Sequence, residues 1–151
     1  MAGFLLDTNV LVYSYDPTDG EKRTRAIDVL ETLGSSPEAY LSTQVLGEFY
    51  VTVTRKIPSP LSVTDASLRI QNYVEAWNVC DVTVSIVSEA VRGAHAHQLP
   101  YYDALIWATA RLNQITSVIT EDGQHNRLIE GIRYLNPFDP DFDLQLLQPS
   151  M

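Results

Sequence analysis

Four acidic side chains lie within, or at the end of, stretches that are otherwise apolar or uncharged. Asp7 is the only charged residue among the first fifteen, and Glu48 and Asp103 have no other charged residue within five positions on either side. Asp122 follows Glu121 at the end of a short apolar run. Because an unpaired carboxylate is costly to bury, each of these acids must be neutralised, ion-paired or bound to a cation. Four of them on separate core elements indicate convergence on one cation.

The chemistry of this donor set favours a hard metal ion. All candidate donors are oxygens, and no cysteine or histidine lies at ligand spacing beside them, so Mg²⁺ or Mn²⁺ is predicted rather than Zn²⁺. Such ions serve phosphate chemistry, because they position the scissile phosphate, lower the pKa of a water and neutralise charge in the transition state. The chain has ten basic and nineteen acidic residues, a net charge of −9, which argues against non-specific binding to nucleic acid. A bound cation removes that objection because it inverts the local potential.

Each acid also has a simpler interpretation when it is taken alone. Asp103 lies in the first turn of a predicted helix, where the helix dipole favours an anion. Asp122 precedes Gly123, as in many turns, and Asp7 could cap a short helix that begins near residue 9. Glu48, on a mostly apolar helix, is the hardest to explain in this way. The prediction of a metal site therefore depends on the coincidence of all four.

Alternating strands and helices are predicted to position these acids. The chain of 151 residues, 45% hydrophobic and 19% charged, is expected to form one globular domain. Strands are predicted at 4–6, 39–41, 79–84, 117–120 and 132–135, and helices at 19–33, 42–56, 62–77 (capped by Ser62 or Thr64), 85–97 and 100–113. This alternation is typical of an α/β domain whose mostly parallel sheet is covered on both faces. Ligands in such sheets bind at the carboxyl ends of the strands, where Asp7 and Asp122 lie.

The end of the chain differs in character from the rest. The domain is predicted to span residues 1–138, and residues 139–151 form an acidic tail in which aspartates alternate with Pro140 and Phe142 and leucines follow. The pattern favours a frayed end. The alternative is a tail whose leucines dock on the domain or on a partner.

Cysteine content and hydropathy indicate the compartment. The single cysteine, Cys80, excludes an intramolecular disulfide framework and a cysteine-built zinc site. No apolar run approaches the roughly 20 residues that a membrane-spanning helix needs, and the first residues lack the basic leader of a secretory signal. A cytoplasmic protein is expected.

Five short segments form a recognisable pattern. They are 6–13 (LDTNVLVY), 41–50 (LSTQVLGEFY), 101–106 (YYDALI), 119–122 (ITED) and 135–138 (LNPF). In this order and spacing they resemble the PIN-domain family, in particular the VapC-like toxins of bacterial toxin–antitoxin pairs, over about residues 3–138. The resemblance implies a three-layer α/β/α sandwich with a mostly parallel sheet, Mg²⁺- or Mn²⁺-dependent endoribonuclease activity, a homodimer and a small antitoxin that blocks the site.

The resemblance also assigns positions to the site. The family's acidic quartet, which is catalytic and holds the metal, corresponds to Asp7, Glu48, Asp103 and Asp122. Asn9 and Thr120 match polar positions at or next to the metal. Some members carry a further acid just after the fourth one, and its absence from residues 123–126 leaves the number of metal ions open. Glu121 is left out because neighbouring side chains on an extended strand point in opposite directions.

Other activities are compatible with parts of this pattern. A phosphatase of the haloacid-dehalogenase type also places an aspartate after its first strand, but it needs a second aspartate where this chain has Asn9. A non-catalytic PIN-fold module that binds RNA or protein would keep the fold and lose one of the acids. All four are present, so the endoribonuclease is the leading hypothesis.

Several side chains could contact RNA, and each has a simpler role. Tyr101, Tyr102 and Trp107 could stack on bases, although aromatic residues at helical spacing usually pack in the core. Basic residues such as Lys56 could bind phosphates, although surface charge is the default interpretation. His125 follows the fourth acid closely, and a solvated loop histidine is the favoured interpretation.

Overall fold

A computed structural model describes residues 3–34 and 36–148 of the chain. The strands found there form one sheet. In chain order they are β1 (Phe4–Leu6), β2 (Ala39–Ser42), β3 (Asn78–Cys80), β4 (Ser117–Ile119), β5 (Leu128–Ile129) and β6 (Ile132–Leu135).

Helices connect most of the strands. In chain order they are α1 (Thr8–Tyr13), α2 (Gly20–Leu33), α3 (Thr43–Arg55), α4 (Val63–Ala76), α5 (Val84–His97) and α6 (Tyr101–Leu112), and a 3₁₀ helix follows at Leu144–Leu147.

The sheet has the strand order β3-β2-β1-β4-β6-β5. All neighbouring pairs are parallel except β5 and β6, which form an antiparallel pair at one edge. The predicted mostly parallel α/β sandwich is therefore confirmed. At the centre, the backbone N–H of Asp7 donates to the carbonyl of Ile119 at 2.9 Å. The carboxyl ends of β1 and β4 thus open at the same edge of the sheet.

Serine or proline residues begin three of the helices. Ser42 ends β2, and its hydroxyl accepts from the N–H of Val45 at 3.2 Å, so the chain turns directly into α3. Ser62 caps α4 in the same way. Pro100 immediately precedes α6, where its fixed φ suits a helix start. These caps satisfy backbone N–H groups that helix ends leave without partners.

Two short elements and one strand boundary differ from the prediction. α1 begins at Thr8, one residue before the short helix that Asp7 could cap, and its six residues carry too few apolar repeats to set its length. β5 has two residues and was not predicted. The strand predicted at 79–84 ends at Cys80, because the hydroxyl of Thr83 accepts from the N–H of Ile86 and starts α5. The apolar alternation that predicts the longer strand continues beyond the end of β3 to the residue that caps α5.

The acidic tail is packed against the domain as far as residue 148, so the favoured frayed end is wrong for this part. Phe142 and Leu147 are 5% and 2% exposed and belong to the core. The guanidinium of Arg25 on α2 lies 5.7 Å from the centre of the Phe142 ring. The free energy gained by burying these apolar side chains is enough to dock the tail, because the aspartates between them remain at the surface in water. Residues 149–151 of the predicted tail lie outside the described part.

Among the described residues, no helix combines the length and the apolar character that crossing a bilayer requires.

A close contact between α5 and α6 gives a test of the packing. A Cβ added to Gly93 of α5 would overlap Cζ3 of Trp107, whose ring is fully buried. We expect Gly93→Ala to lower the free energy of unfolding by about 1–3 kcal/mol, the usual cost of overpacking, despite alanine's better helix propensity. Denaturant titration measures this change.

Gly47→Ala is the matched control, because a Cβ at this helical position meets nothing within 4 Å. It should leave the stability unchanged or raise it by up to about 1 kcal/mol. A Gly93→Ala protein as stable as wild type would contradict the packing of α5 on α6.

Candidate active site

Asp7 lies at the carboxyl end of β1 and is the most buried of the acids, with 8% of its surface exposed. Its Oδ1 accepts from the backbone N–H of Thr8 at 2.7 Å, and its Oδ2 accepts from the hydroxyl of Thr120 at 2.8 Å. The carboxylate therefore caps α1 and is fixed in orientation from both sides. This is the capping role considered from the sequence, and it coexists with a place in the acidic cluster.

Asn9 and Thr120 connect α1 to the segment that carries Asp122. The amide nitrogen of Asn9 donates to Thr120 Oγ1 at 3.2 Å and to Asp122 Oδ2 at 3.3 Å. The backbone N–H of Asp122 donates to Thr120 Oγ1 at 3.0 Å. Both polar residues that the resemblance assigned to the site are thus hydrogen-bonded to its carboxylates.

Three of the four predicted acids lie close enough to share an ion. One carboxylate oxygen each of Asp7, Asp103 and Asp122 lies within 4.8 Å of the others. Glu48 is not part of that group, but it lines the same cavity of about 680 Å³. Its Oε1 accepts from the hydroxyl of Thr8 at 2.7 Å. Acids from two strand ends and from α6 therefore lie together, and Glu48 of α3 lines the cavity beside them.

Burial and mutual repulsion both act on these carboxyl groups. Burial raises the pKa of Asp7 from its ordinary value of 3.8 to about 7; the hydrogen bonds from Thr120 and Thr8 oppose this rise, and the charges of Asp122 and Glu48 add to it. The pKa of Asp103 is also raised, chiefly by burial and then by the charges of Asp122 and Glu48. The cluster therefore holds its negative charge at a cost that a cation would relieve.

Glu121 is engaged away from the cluster. Its Oε1 accepts from the hydroxyl of Tyr13 at 2.6 Å, and its Oε2 lies 2.7 Å from the ammonium of Lys22. Its side chain is absent from the lining of the cavity. Leaving this acid out of the candidate site agrees with the observed contacts.

The other singled-out side chains have different surroundings. Trp107 is fully buried, whereas Tyr101 and Tyr102 are 37% and 65% exposed. His125 lies outside the cavity lining and is half-buried; its Nδ1 accepts from the backbone N–H of Asn136 at 3.0 Å. The favoured solvated loop histidine is therefore wrong, because the ring packs against the tail at Phe142.

Thr8 and Gln44 are site residues that sequence reasoning missed. Thr8 orients two of the acids, Asp7 through its N–H and Glu48 through its hydroxyl. The side-chain amide of Gln44 donates to the carbonyl of Tyr102 at 3.1 Å and so links α3 to α6 beside the cavity. The only sequence signal for these two residues is their position. Thr8 directly follows Asp7, and Gln44 lies one helical turn before Glu48 on α3.

The residues present fit a hard divalent cation. Asp7, Asp103 and Asp122 supply the clustered oxygens, with Glu48, Asn9 and Thr120 beside them. Three oxygen donors without sulfur or imidazole suit Mg²⁺ or Mn²⁺. A buried, hydrogen-bonded carboxylate at the centre of the set keeps its oxygens pre-oriented.

The protein is an α/β protein with an open, mostly parallel sheet and an acidic cluster at the carboxyl ends of its central strands, and the family comparison places it within that class. The PIN domain model matches residues 4–130. The chain therefore belongs to the PIN domain family. A comparison with curated protein sequences finds no match.

Solved structures of similar fold extend this result. A toxin–antitoxin complex from Klebsiella pneumoniae aligns with a TM-score of 0.66 at 22% identity, covering 92% of this chain and 99% of the other. The VapC20 toxin of Mycobacterium tuberculosis, which cleaves the sarcin–ricin loop, aligns with a TM-score of 0.63 at 17% identity over 80% and 92% of the two chains. DNA-bound VapBC from Salmonella typhimurium gives 0.61 at 19% identity over 89% and 97%. At these low sequence identities, the similarity shows a shared fold and nothing further.

The raised pKa of Asp7 makes a prediction for stability. In the folded, metal-free protein this carboxyl stays protonated up to about pH 7, whereas in the unfolded chain it ionises near its ordinary value of 3.8. We therefore expect the free energy of unfolding to fall as pH rises from about 4 to about 7, by on the order of a few kcal/mol. Urea unfolding in chelator across this range measures it.

Asp7→Asn removes the titrating group, so its stability should depend less on pH and exceed that of wild type at neutral pH in chelator. Asp65→Asn, at an exposed position of α4, is the control and should behave as wild type. Added Mg²⁺ should raise the stability of wild type most at neutral pH, because binding to the folded state stabilises it. A wild-type free energy of unfolding that does not change between about pH 4 and pH 7 would contradict the raised pKa of Asp7.

Proposed function

We propose that this protein is a cytoplasmic, Mg²⁺- or Mn²⁺-dependent endoribonuclease and the toxin of a toxin–antitoxin pair. The observation that carries the proposal is the convergence of three carboxylates on one point, with Glu48 beside them in the same cavity. Membership of the PIN domain family and the fold shared with VapC proteins support it. The catalytic set is Asp7, Glu48, Asp103 and Asp122.

Asp7, Asp103 and Asp122 would hold the cation, with Glu48 as a further ligand and Asn9 and Thr120 holding the carboxylates in place. When bound, the ion would orient the scissile phosphate, promote ionisation of water and offset the charge of the transition state. The hydrogen bonds from Thr8 and Thr120 fix the ligands before substrate arrives. Preorganised groups of this kind need no rearrangement during the reaction.

The proposed reaction is in-line attack of water on the phosphorus of an RNA phosphodiester. A proton passes from the water to a carboxylate of the cluster, and the bond from phosphorus to the 3′-oxygen breaks. The 3′-oxygen takes up a proton, which leaves a 3′-hydroxyl and a 5′-phosphate. Glu48 is suited to the proton transfer, because Thr8 occupies its Oε1 while the residue lines the open cavity.

The alternative of a non-catalytic binding module has no specific support. Such a module has no need for four acids around one cavity, and their mutual repulsion would be a cost without a benefit. The phosphatase alternative fails at Asn9, whose amide is hydrogen-bonded to Thr120 and Asp122 and has no acidic proton to give.

The proposed protein partner is a small antitoxin, and homodimerisation belongs to the same proposal. Similar folds occur in toxin–antitoxin complexes. A basic antitoxin side chain among the four carboxylates would replace the charge of the cation and block the site. A fixed cation in this place gains from every acid that lines it.

The central experiment is RNA cleavage by site variants. We expect Asp7→Asn, Glu48→Gln and Asp103→Asn each to abolish cleavage of mixed RNA in Mg²⁺ or Mn²⁺, because each removes a converging negative charge and leaves the shape. Gel electrophoresis of end-labelled RNA measures the rate. Excess chelator should stop the wild type, and Zn²⁺ alone should not restore it.

Glu121→Gln is the matched control, since this acid neighbours Asp122 in sequence but pairs with Lys22. It should cleave at close to the wild-type rate. Far-UV circular dichroism checks that every variant is folded. A wild-type rate in one of the three site variants removes that residue from the site, and full cleavage by chelated protein ends the metal proposal.

Antitoxin binding gives a second test of the site. If a basic side chain enters the cluster, Glu48→Gln should weaken the complex by at least about tenfold, because one charge of a desolvated ion-pair network is lost. Isothermal titration calorimetry with the proposed antitoxin measures the affinity. Equal affinities for wild type and Glu48→Gln would show that inhibition covers the RNA-binding surface instead.

A further inference from the structure

One face of α3 forms a continuous wall of the cavity. Gln44, Glu48, Thr52 and Lys56 all line it, at a spacing of four residues. Side chains four apart lie above one another on a helix, so this wall extends about 18 Å from first to last. The acidic cluster lies beside Glu48, and the cavity continues from it in both directions along the helix.

Tyr102 marks one end of this wall. Its carbonyl is held by the amide of Gln44 at 3.1 Å, and the ring of Tyr101 lies edge-on against its ring at 5.2 Å between centres. Yet 65% of Tyr102 is exposed. A large aromatic ring that is mostly exposed and lines the cavity beside the acidic cluster is suited to stack on a nucleobase.

Lys56 marks the other end. It follows Arg55, the last residue of α3, two helical turns beyond Glu48, about 12 Å along the axis. No carboxylate pairs with its ammonium in the part of the chain that the structure describes. Asp16, which lines the cavity too, accepts from the N–H of Thr18 at 3.0 Å in its own loop. Lys56 is thus free to bind an anion, and its distance from the cluster places that anion beyond the scissile phosphate.

We propose that a single strand of RNA lies along this face of α3, with one base stacked on Tyr102 and a phosphate on the far side of the cluster paired with Lys56. The base on Tyr102 is unpaired, because a base within a duplex has no free face to offer. This inference rests on the proposed function and assigns it two specificity-determining residues. The two contacts differ in physical kind, so their effects on binding can be told apart.

Binding is measured in a Glu48→Gln background, which is expected not to cleave. The probe is a fluorescein-labelled single-stranded RNA of about twelve nucleotides, and fluorescence anisotropy is followed in Mg²⁺ between about 50 and 200 mM salt. Tyr102→Leu should weaken binding about tenfold at every salt concentration, as loss of one stacked base does. Tyr102→Phe keeps the ring and should bind as the parent does. Lys56→Gln should reduce the slope of log affinity against log salt by about 0.7, the contribution of one phosphate contact on a single strand.

The controls separate a defined contact from general charge. Arg55→Gln removes a neighbouring exposed charge outside the cavity lining and should leave the salt slope unchanged. A duplex of the same sequence should bind Tyr102→Leu and the parent equally. Thermal melts establish that all variants are folded. Parental binding by Tyr102→Leu, or a slope change in Arg55→Gln as large as in Lys56→Gln, overturns the inference.

Cleavage by the otherwise unmodified protein is assayed in parallel, so that the two proposals fail separately. If the otherwise unmodified protein cleaves RNA, but Tyr102→Leu and Lys56→Gln bind it as the parent does, only the inference about the strand is overturned. Binding with the predicted losses but without cleavage supports the inference and overturns the nuclease. Neither binding nor cleavage overturns both.

Discussion

Repulsion between the clustered carboxylates is the constraint that the structure around the site has to balance. A parallel sheet brings the ends of β1 and β4 to one edge, and Asp7 and Asp122 are carried there with Asp103 and Glu48 facing them. Like charges at such distances destabilise one another unless protons or cations intervene. The neutral donors around them, two threonine hydroxyls and the Asn9 amide, hold the acids in place without cancelling their charge. The fold thus preserves a strong negative potential in a small volume.

The same requirement explains how nearby charges are arranged. A lysine pointing into the cluster would satisfy the acids permanently and exclude a metal ion. An ion pair with a lysine is found instead one residue before Asp122, where the ammonium of Lys22 binds Glu121 and lies over the ring of Tyr13. That pair anchors the backbone between Thr120 and Asp122 to α2. The acidic group next to the site is thus paired with a lysine, whereas Asp7, Asp103 and Asp122 have no salt bridge among the described residues.

Much of this arrangement could be predicted from residue spacing. The convergence of Asp7 and Asp122 follows from the rule that parallel strands end at one edge, and the isolation of Glu48 and Asp103 indicated that both face the same point. The catalytic role of these acids stays a prediction. Short elements such as α1 leave no periodic signal, so the contacts of Thr8 could not be foreseen. The sequence also does not show which aromatic side chains are exposed. Tyr102 and Trp107 lie on the same helix, and only tertiary packing decides which of them is buried.

The central pairing of β1 with β4 joins residues more than a hundred positions apart in the chain, Phe4 opposite Ser117 and Leu6 opposite Ile119. Pairings between such distant segments form late and slowly, because a long loop must close first. During synthesis on the ribosome, β1 has to wait for β4 to emerge before either Asp122 or Thr120 can reach Asp7. A partly translated chain therefore carries the first two acids without the constellation they belong to. The cavity can assemble only once β4 and the residues that follow it, Thr120 and Asp122 among them, have left the ribosome.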